Sequence, residues 1–115
     1  MEKQFLTHKP KSVMRNGFDI EWTREAETNL NDIFDYLELM WSDREISRFA
    51  QKLDANLRLI AQHPATFPFY DEKKNIRRCV LSSQTTIYYC EISTENKVVI
   101  LALFDNRRNP SSLDL

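Results

Sequence analysis

Glycine is almost missing: Gly17 is the only one in 115 residues. That excludes tight glycine turns and a glycine-rich loop that cradles phosphate. Histidine is scarce, with only His8 and His63, and cysteine is limited to Cys79 and Cys90. No CxxC spacing exists and both histidines lie far from the cysteines, so no zinc site is expected. Without a secretion signal the two cysteines read as reduced core thiols rather than a disulfide. No apolar run approaches the ~20 residues of a membrane span. The first 17 residues also lack the apolar core of a signal peptide, so a cytoplasmic location is expected. Two histidines leave no plausible Ser-His-Asp arrangement, and a cysteine nucleophile without a histidine partner is equally weak.

What is present is ordinary for one globular domain, with 42% hydrophobic and 29% charged residues. A chain of this size buries roughly two thirds of the surface its unfolded form exposes, so no staple is needed. The net charge is −1, unevenly spread. Residues 1–17 carry Lys3, Lys9, Lys11 and Arg15 against Glu2; the remainder holds 12 basic and 16 acidic residues, a balance of −4. A dedicated nucleic-acid binder is usually basic, so a broad DNA- or RNA-coating role is disfavoured.

Residues 1–17 have no clear period and read as a flexible leader; residues 18–115 read as one domain. "FDIEW" (18–22) alternates as a short strand. Thr23 then caps a helix whose stripe is Ala26, Leu30, Ile33, Phe34, Leu37, Met40 and Trp41. "SDRE" (42–45) is a capping box. It opens a second helix with Ile46, Phe49, Ala50, Leu53, Leu57, Ile60 and Ala61 on one face, ending at His63-Pro64. So short a link makes the two helices an antiparallel hairpin. After a loop over 65–75 come strands at 76–82, 85–93 and 97–104, joined by hairpin-short links. The predicted class is α+β, ordered β-α-α-β-β-β, with the helical hairpin on one face of a small antiparallel sheet.

The last strand is apolar on both faces. Alternation puts Val98, Ile100, Ala102 and Phe104 on one and Val99, Leu101 and Leu103 on the other, with Tyr88 and Tyr89 also pointing apart. The helices bury one face only, so the other needs a cover, either from the chain itself or from a protein partner. Basic residues cluster late: Lys73, Lys74, Arg77 and Arg78 before and within one strand, Arg107 and Arg108 in the closing "DNRRNP". Guanidinium forks suit an anionic ligand, while a solvated basic rim is the plainer reading. The acidic first helix (Glu25, Glu27, Asp32, Asp35, Glu38) reads as a solvated face favoured near its start by the helix dipole, not as a carboxylate active site.

The run from "FDIEWTREAETNLNDIFDYLELMW" through "FAQKLDANLRLIAQHPATFP" and "IRRCVLSSQTTIYYCEI" to "VVILALFDNRRNP" resembles the RelE/ParE superfamily of toxins from bacterial type II toxin–antitoxin pairs. The likeness covers roughly 18–113, and "DNRRNP" is most similar to the ParE-like branch. The resemblance implies a growth-inhibiting toxin without cofactor or metal, forming a hetero-oligomer with an antitoxin that wraps and neutralises it. It adds weight to a partner on the open sheet face, at Tyr88, Val99, Leu101 and Leu103. RelE-like members cleave messenger RNA on the ribosome; ParE-like members poison DNA gyrase. A nuclease here would use Arg77 and Arg107 on the phosphate and Tyr89 to move a proton, with Lys73, Lys74, Arg78, Asn106 and Arg108 holding phosphate or target. The chain departs from that pattern: it is net acidic, with no histidine after residue 63 and no tyrosine after Tyr89. The gyrase branch is therefore expected, with RNA cleavage or an inactive binding module as the alternatives.

Overall fold

The computed structural model describes residues 17–115. Apart from Gly17, the expected leader lies outside the described residues. The elements are β1 (Asp19–Trp22), α1 (Arg24–Met40), α2 (Asp43–Gln62), β2 (Phe69–Asp71), β3 (Ile76–Val80), β4 (Thr85–Ile92) and β5 (Lys97–Asp105). Single 3-10 turns occupy Pro64–Thr66, Ser93–Glu95 and Pro110–Ser112. The class is α+β as expected: a helical hairpin packs on a five-stranded sheet of order β1-β5-β4-β3-β2. Two strands differ from expectation. β1 joins β5 in parallel, so the sheet is mixed. β2 falls inside the expected loop and adds an antiparallel edge strand beside β3. No helix of the described residues is long and apolar enough to cross a membrane.

Local chemistry explains the helix boundaries. The Thr23 hydroxyl accepts the Ala26 N–H at 3.0 Å and starts α1. Ser42 and Glu45 exchange side-chain and backbone hydrogen bonds in the predicted capping box and start α2, satisfying donors that a helix start leaves open. With so little glycine, asparagine takes the left-handed backbone: Asn75 (φ 59°) precedes β3 and Asn96 (φ 54°) precedes β5. Asparagine tolerates that region better than most side chains.

One core lies between the hairpin and the sheet. Ala26, Leu30, Phe34 and Leu37 of α1 meet Ile46, Phe49, Leu53, Leu57 and Ile60 of α2 over Ile87, Tyr89, Val98, Ile100 and Leu103 of the sheet. Phe34 and Phe49 touch edge to face, 5.6 Å between ring centroids. Met40 leaves the predicted stripe: it is the last residue of α1 and 62% exposed.

The alternation expected along β5 breaks in the middle. Tyr89 pairs with Ile100 and Tyr88 with Ala102, so Leu101 is an extra residue on β5. Such a bulge reverses which face each later side chain meets. Leu103 therefore joins Val98 and Ile100 in the main core, 3% exposed, while Phe104 and Leu101 pack on the opposite face. The irregular backbone is satisfied from α1 and its cap. Asn29 Oδ1 accepts the Leu103 N–H at 3.1 Å. The Thr23 hydroxyl lies 3.0 Å from the Leu101 carbonyl oxygen and 3.2 Å from that of Ile100.

Candidate functional site

Register decides which of the basic residues can act together. β4 lies between β3 and β5. Arg77 pairs with Tyr89 of β4, whereas Asp105, two residues before Arg107, pairs with Thr85. Those β4 positions are four residues apart, roughly 13 Å at about 3.3 Å per residue. The two late basic groups thus occupy opposite ends of the sheet. Lys73 and Lys74 sit with Arg77, in the exposed turn before β3, where Lys74 Nζ donates to the Leu115 backbone oxygen at 2.7 Å.

Arg77 is committed inside the fold. One Nη donates to the carbonyls of Phe67 at 2.7 Å and Ala65 at 3.3 Å, and its Cζ lies 3.8 Å from the Phe69 ring centroid. It ties the turn after α2 to the sheet. Tyr89 is fully buried beside it, and its hydroxyl donates to the Pro64 carbonyl at 2.6 Å. Burial pushes its phenol well above the ordinary range, only partly offset by the Arg77 charge. A hydroxyl placed this way does not reach a substrate in the described conformation. Arg78 is exposed on the opposite face, across from Tyr88. Cys79 faces the core and burial pushes its thiol up to about 11. Cys79 and Cys90 are both free.

The outer face expected to be open is partly covered by the chain itself. Ile76, Tyr88 and Phe104 form a second cluster with Leu101, and Leu113 and Leu115 pack against it. Tyr70 adds an edge contact to Tyr88, 4.8 Å between centroids. Of the four residues expected to meet an antitoxin on this face, Leu103 is in the main core, Tyr88 is buried, and Val99 and Leu101 are half-buried.

A pronounced concavity lies elsewhere. A cleft of about 570 Å³ opens between the helical hairpin and the end of the sheet. Ile33 and Tyr36 of α1, Trp41 just after it and Phe49 of α2 line it, with Leu103 and with Ser82 and Gln84 of the β3–β4 turn. Arg48 and Lys52, one turn apart on α2, contribute to its wall. Sequence reading missed this site because the α1 stripe was read as core throughout. The structure instead leaves Tyr36, three residues after Ile33 on the same helix flank, as an exposed aromatic, 41% accessible.

The "DNRRNP" turn forms one rim of this cleft. Asn106 pins it to the β3–β4 turn: its N–H donates to the Gln84 carbonyl at 2.7 Å and its Oδ1 accepts from the Thr86 hydroxyl at 2.8 Å. Arg107 and Arg108 both line the cleft. The Asp105 carboxylate receives Arg107 from Nε at 3.0 Å and from an Nη at 2.9 Å, and accepts the Arg107 N–H at 2.9 Å. Those hydrogen bonds hold the Asp105 carboxyl below the usual carboxylate range, against the opposing effect of burial. The stabilising contribution of the pair is therefore complete above that range and is lost as pH falls through the lowered value.

Comparison with known proteins agrees with this architecture. The profile of the ParE toxin of type II toxin–antitoxin systems, parDE, matches residues 20–110. Toxin ParE1 of Caulobacter vibrioides is 30% identical over 74 residues, 64% of this chain and 77% of that protein. In fold, the chain is similar to a solved chain of the chromosomal ParDE toxin–antitoxin system from P. aeruginosa, with a TM-score of 0.61 at 16% identity, over 75% of this chain and 92% of that one. With a profile match running from β1 through the arginine turn, the chain belongs to the ParE toxin family of type II toxin–antitoxin systems.

Proposed function

We propose that this toxin-family chain arrests growth in the cytoplasm by poisoning DNA gyrase, and that a cognate antitoxin neutralises it by filling the cleft beside the arginine turn. The observation that supports gyrase over RNA cleavage is the placement of Arg77, Tyr89 and Arg107. A ribonuclease must bring cations and a proton-moving group to one phosphate. Here Arg77 and Tyr89 hold the turn after α2 from inside, and Arg107 stands at the other end of the sheet on an aspartate. The cleft suits a partner segment because it has an apolar, aromatic floor and a polar rim, the composition that anchors peptides in grooves.

Pulse labelling after induction tests the target. DNA synthesis is expected to stop within minutes while protein synthesis continues. Early arrest of protein synthesis with DNA synthesis continuing would assign the chain to ribosome-dependent RNA cleavage instead.

A further inference from the structure

The two arginines of the rim differ in electrical state. Arg107 shares both oxygens of Asp105, and its Cζ lies 5.4 Å from the Tyr36 ring centroid. Seen from the cleft, the Asp105–Arg107 pair is closely neutral and rigid, since a two-point fork fixes orientation as well as charge. Arg108 follows it and makes no ion pair among the described residues. It is exposed, with its Cζ 5.8 Å from the Phe104 ring centroid. Arg48 and Lys52 on the α2 wall are exposed and likewise lack an ion pair among the described residues. Arg108, Arg48 and Lys52 therefore border the cleft without a direct ion pair among the described residues, against the carboxylates of Asp32 and Glu45 in the same lining, so that with Asp105 and Arg107 paired the cleft keeps one net positive charge in a chain whose net charge is −1.

We propose that Arg107 is a positioning residue and Arg108 the recognition residue of this cleft. Asp105 holds Arg107 against Tyr36 as a fixed end wall, and Arg108, with Arg48 and Lys52, receives carboxylates of the occupant. The occupant is an antitoxin segment that places an apolar side chain on Ile33 and Trp41 and flanks it with acidic residues. This division of roles rests on the reading that the antitoxin fills the cleft. It also predicts that charge at position 107 matters only relative to charge at 105. Removing Arg107 alone strands a carboxylate at the rim, where it repels an acidic segment; removing both members leaves the rim neutral again.

The test is calorimetric titration of the full chain with its cognate antitoxin protein, at several salt concentrations. Arg107→Gln is expected to weaken binding about tenfold, and Asp105→Asn in the same chain to restore it to within about threefold, as a coupled pair requires. Arg108→Gln is expected to weaken binding about tenfold, the scale of one charge-assisted hydrogen bond, and to flatten the salt dependence. A loss at Arg107→Gln that persists in the double variant would mean that Arg107 itself meets the partner and would overturn the proposal. Unchanged affinity in Arg108→Gln would overturn it too. Ile33→Glu separates the two failures. If it leaves affinity unchanged, the cleft is not the antitoxin's seat and both readings fall. If it abolishes binding while the arginine variants depart from these results, only the division of roles falls. Far-ultraviolet circular dichroism of each variant checks that it is folded.

Discussion

Tyr89 carries its hydroxyl into the core and gives it to a carbonyl, that of Pro64 at 2.6 Å. The same ring meets Phe67 edge to face, 6.4 Å between centroids. Arg77 reaches the Phe67 carbonyl from the neighbouring strand. Together they fasten the chain as it leaves α2. Tyr89→Phe is therefore expected to lower stability by about 1–2 kcal/mol, the cost of an unmatched buried polar group, read as a shifted urea midpoint. Growth inhibition should survive in that variant at a temperature where it is folded. A folded Tyr89→Phe chain that no longer inhibits growth would instead make the hydroxyl a reacting group. That the strands of Arg77 and Tyr89 run antiparallel was legible in the sequence, because the link between them is hairpin-short; the register that sets Arg77 opposite Tyr89 was not. Nor was their commitment to Pro64 and Phe67, since it depends on how the turn after α2 folds back over the sheet.

Within β5 the extra residue Leu101 decides which side chains are core. Strict alternation assigned Leu103 to the outer face, and the bulge sends it to the inner one. Nothing in "KVVILALF" marks the bulge, because every residue there is apolar and either face accepts it. The partners that accommodate it, Thr23 and Asn29, are more than 70 residues away in sequence, beyond the reach of any local pattern. The helices were far more legible: their caps and apolar spacing are local, and both begin where the Thr23 and Ser42 signals place them. β2 was missed because three residues between two prolines and an asparagine turn carry too little pattern to read. The closing segment, beyond the arginine turn, covers the second cluster with Leu113 and Leu115. Replacing both with serine is expected to cost about 1–3 kcal/mol by loss of apolar burial and to raise binding of an environment-sensitive dye. No change in dye binding would mean that the outer face is not sealed by these two leucines.

At the scale of the whole molecule, the fold places its committed groups and its available ones at different ends. Arg77, Tyr89 and the turn after α2 form a closed structural end. The helical hairpin, the β3–β4 turn and the arginine turn form an open one with a cleft. The order of elements and the likeness to a toxin superfamily were legible from sequence, because helix caps, short links and the closing "DNRRNP" are all contiguous. The cleft was not, because it is assembled from α1, α2 and the far end of the sheet, and its apolar wall looks like core in a linear reading. The separation of Arg77 from Arg107 follows from β4 standing between β3 and β5, which no single-strand pattern reveals. It is this separation that directs the functional reading toward a protein target.

Supercoiling of relaxed plasmid by purified DNA gyrase, with and without the purified chain, tests that reading most directly. The account predicts that the chain inhibits supercoiling and traps broken DNA on gyrase, and that prior addition of antitoxin abolishes both effects. Full gyrase activity in the presence of folded chain, together with cleavage of messenger RNA on ribosomes, would contradict it.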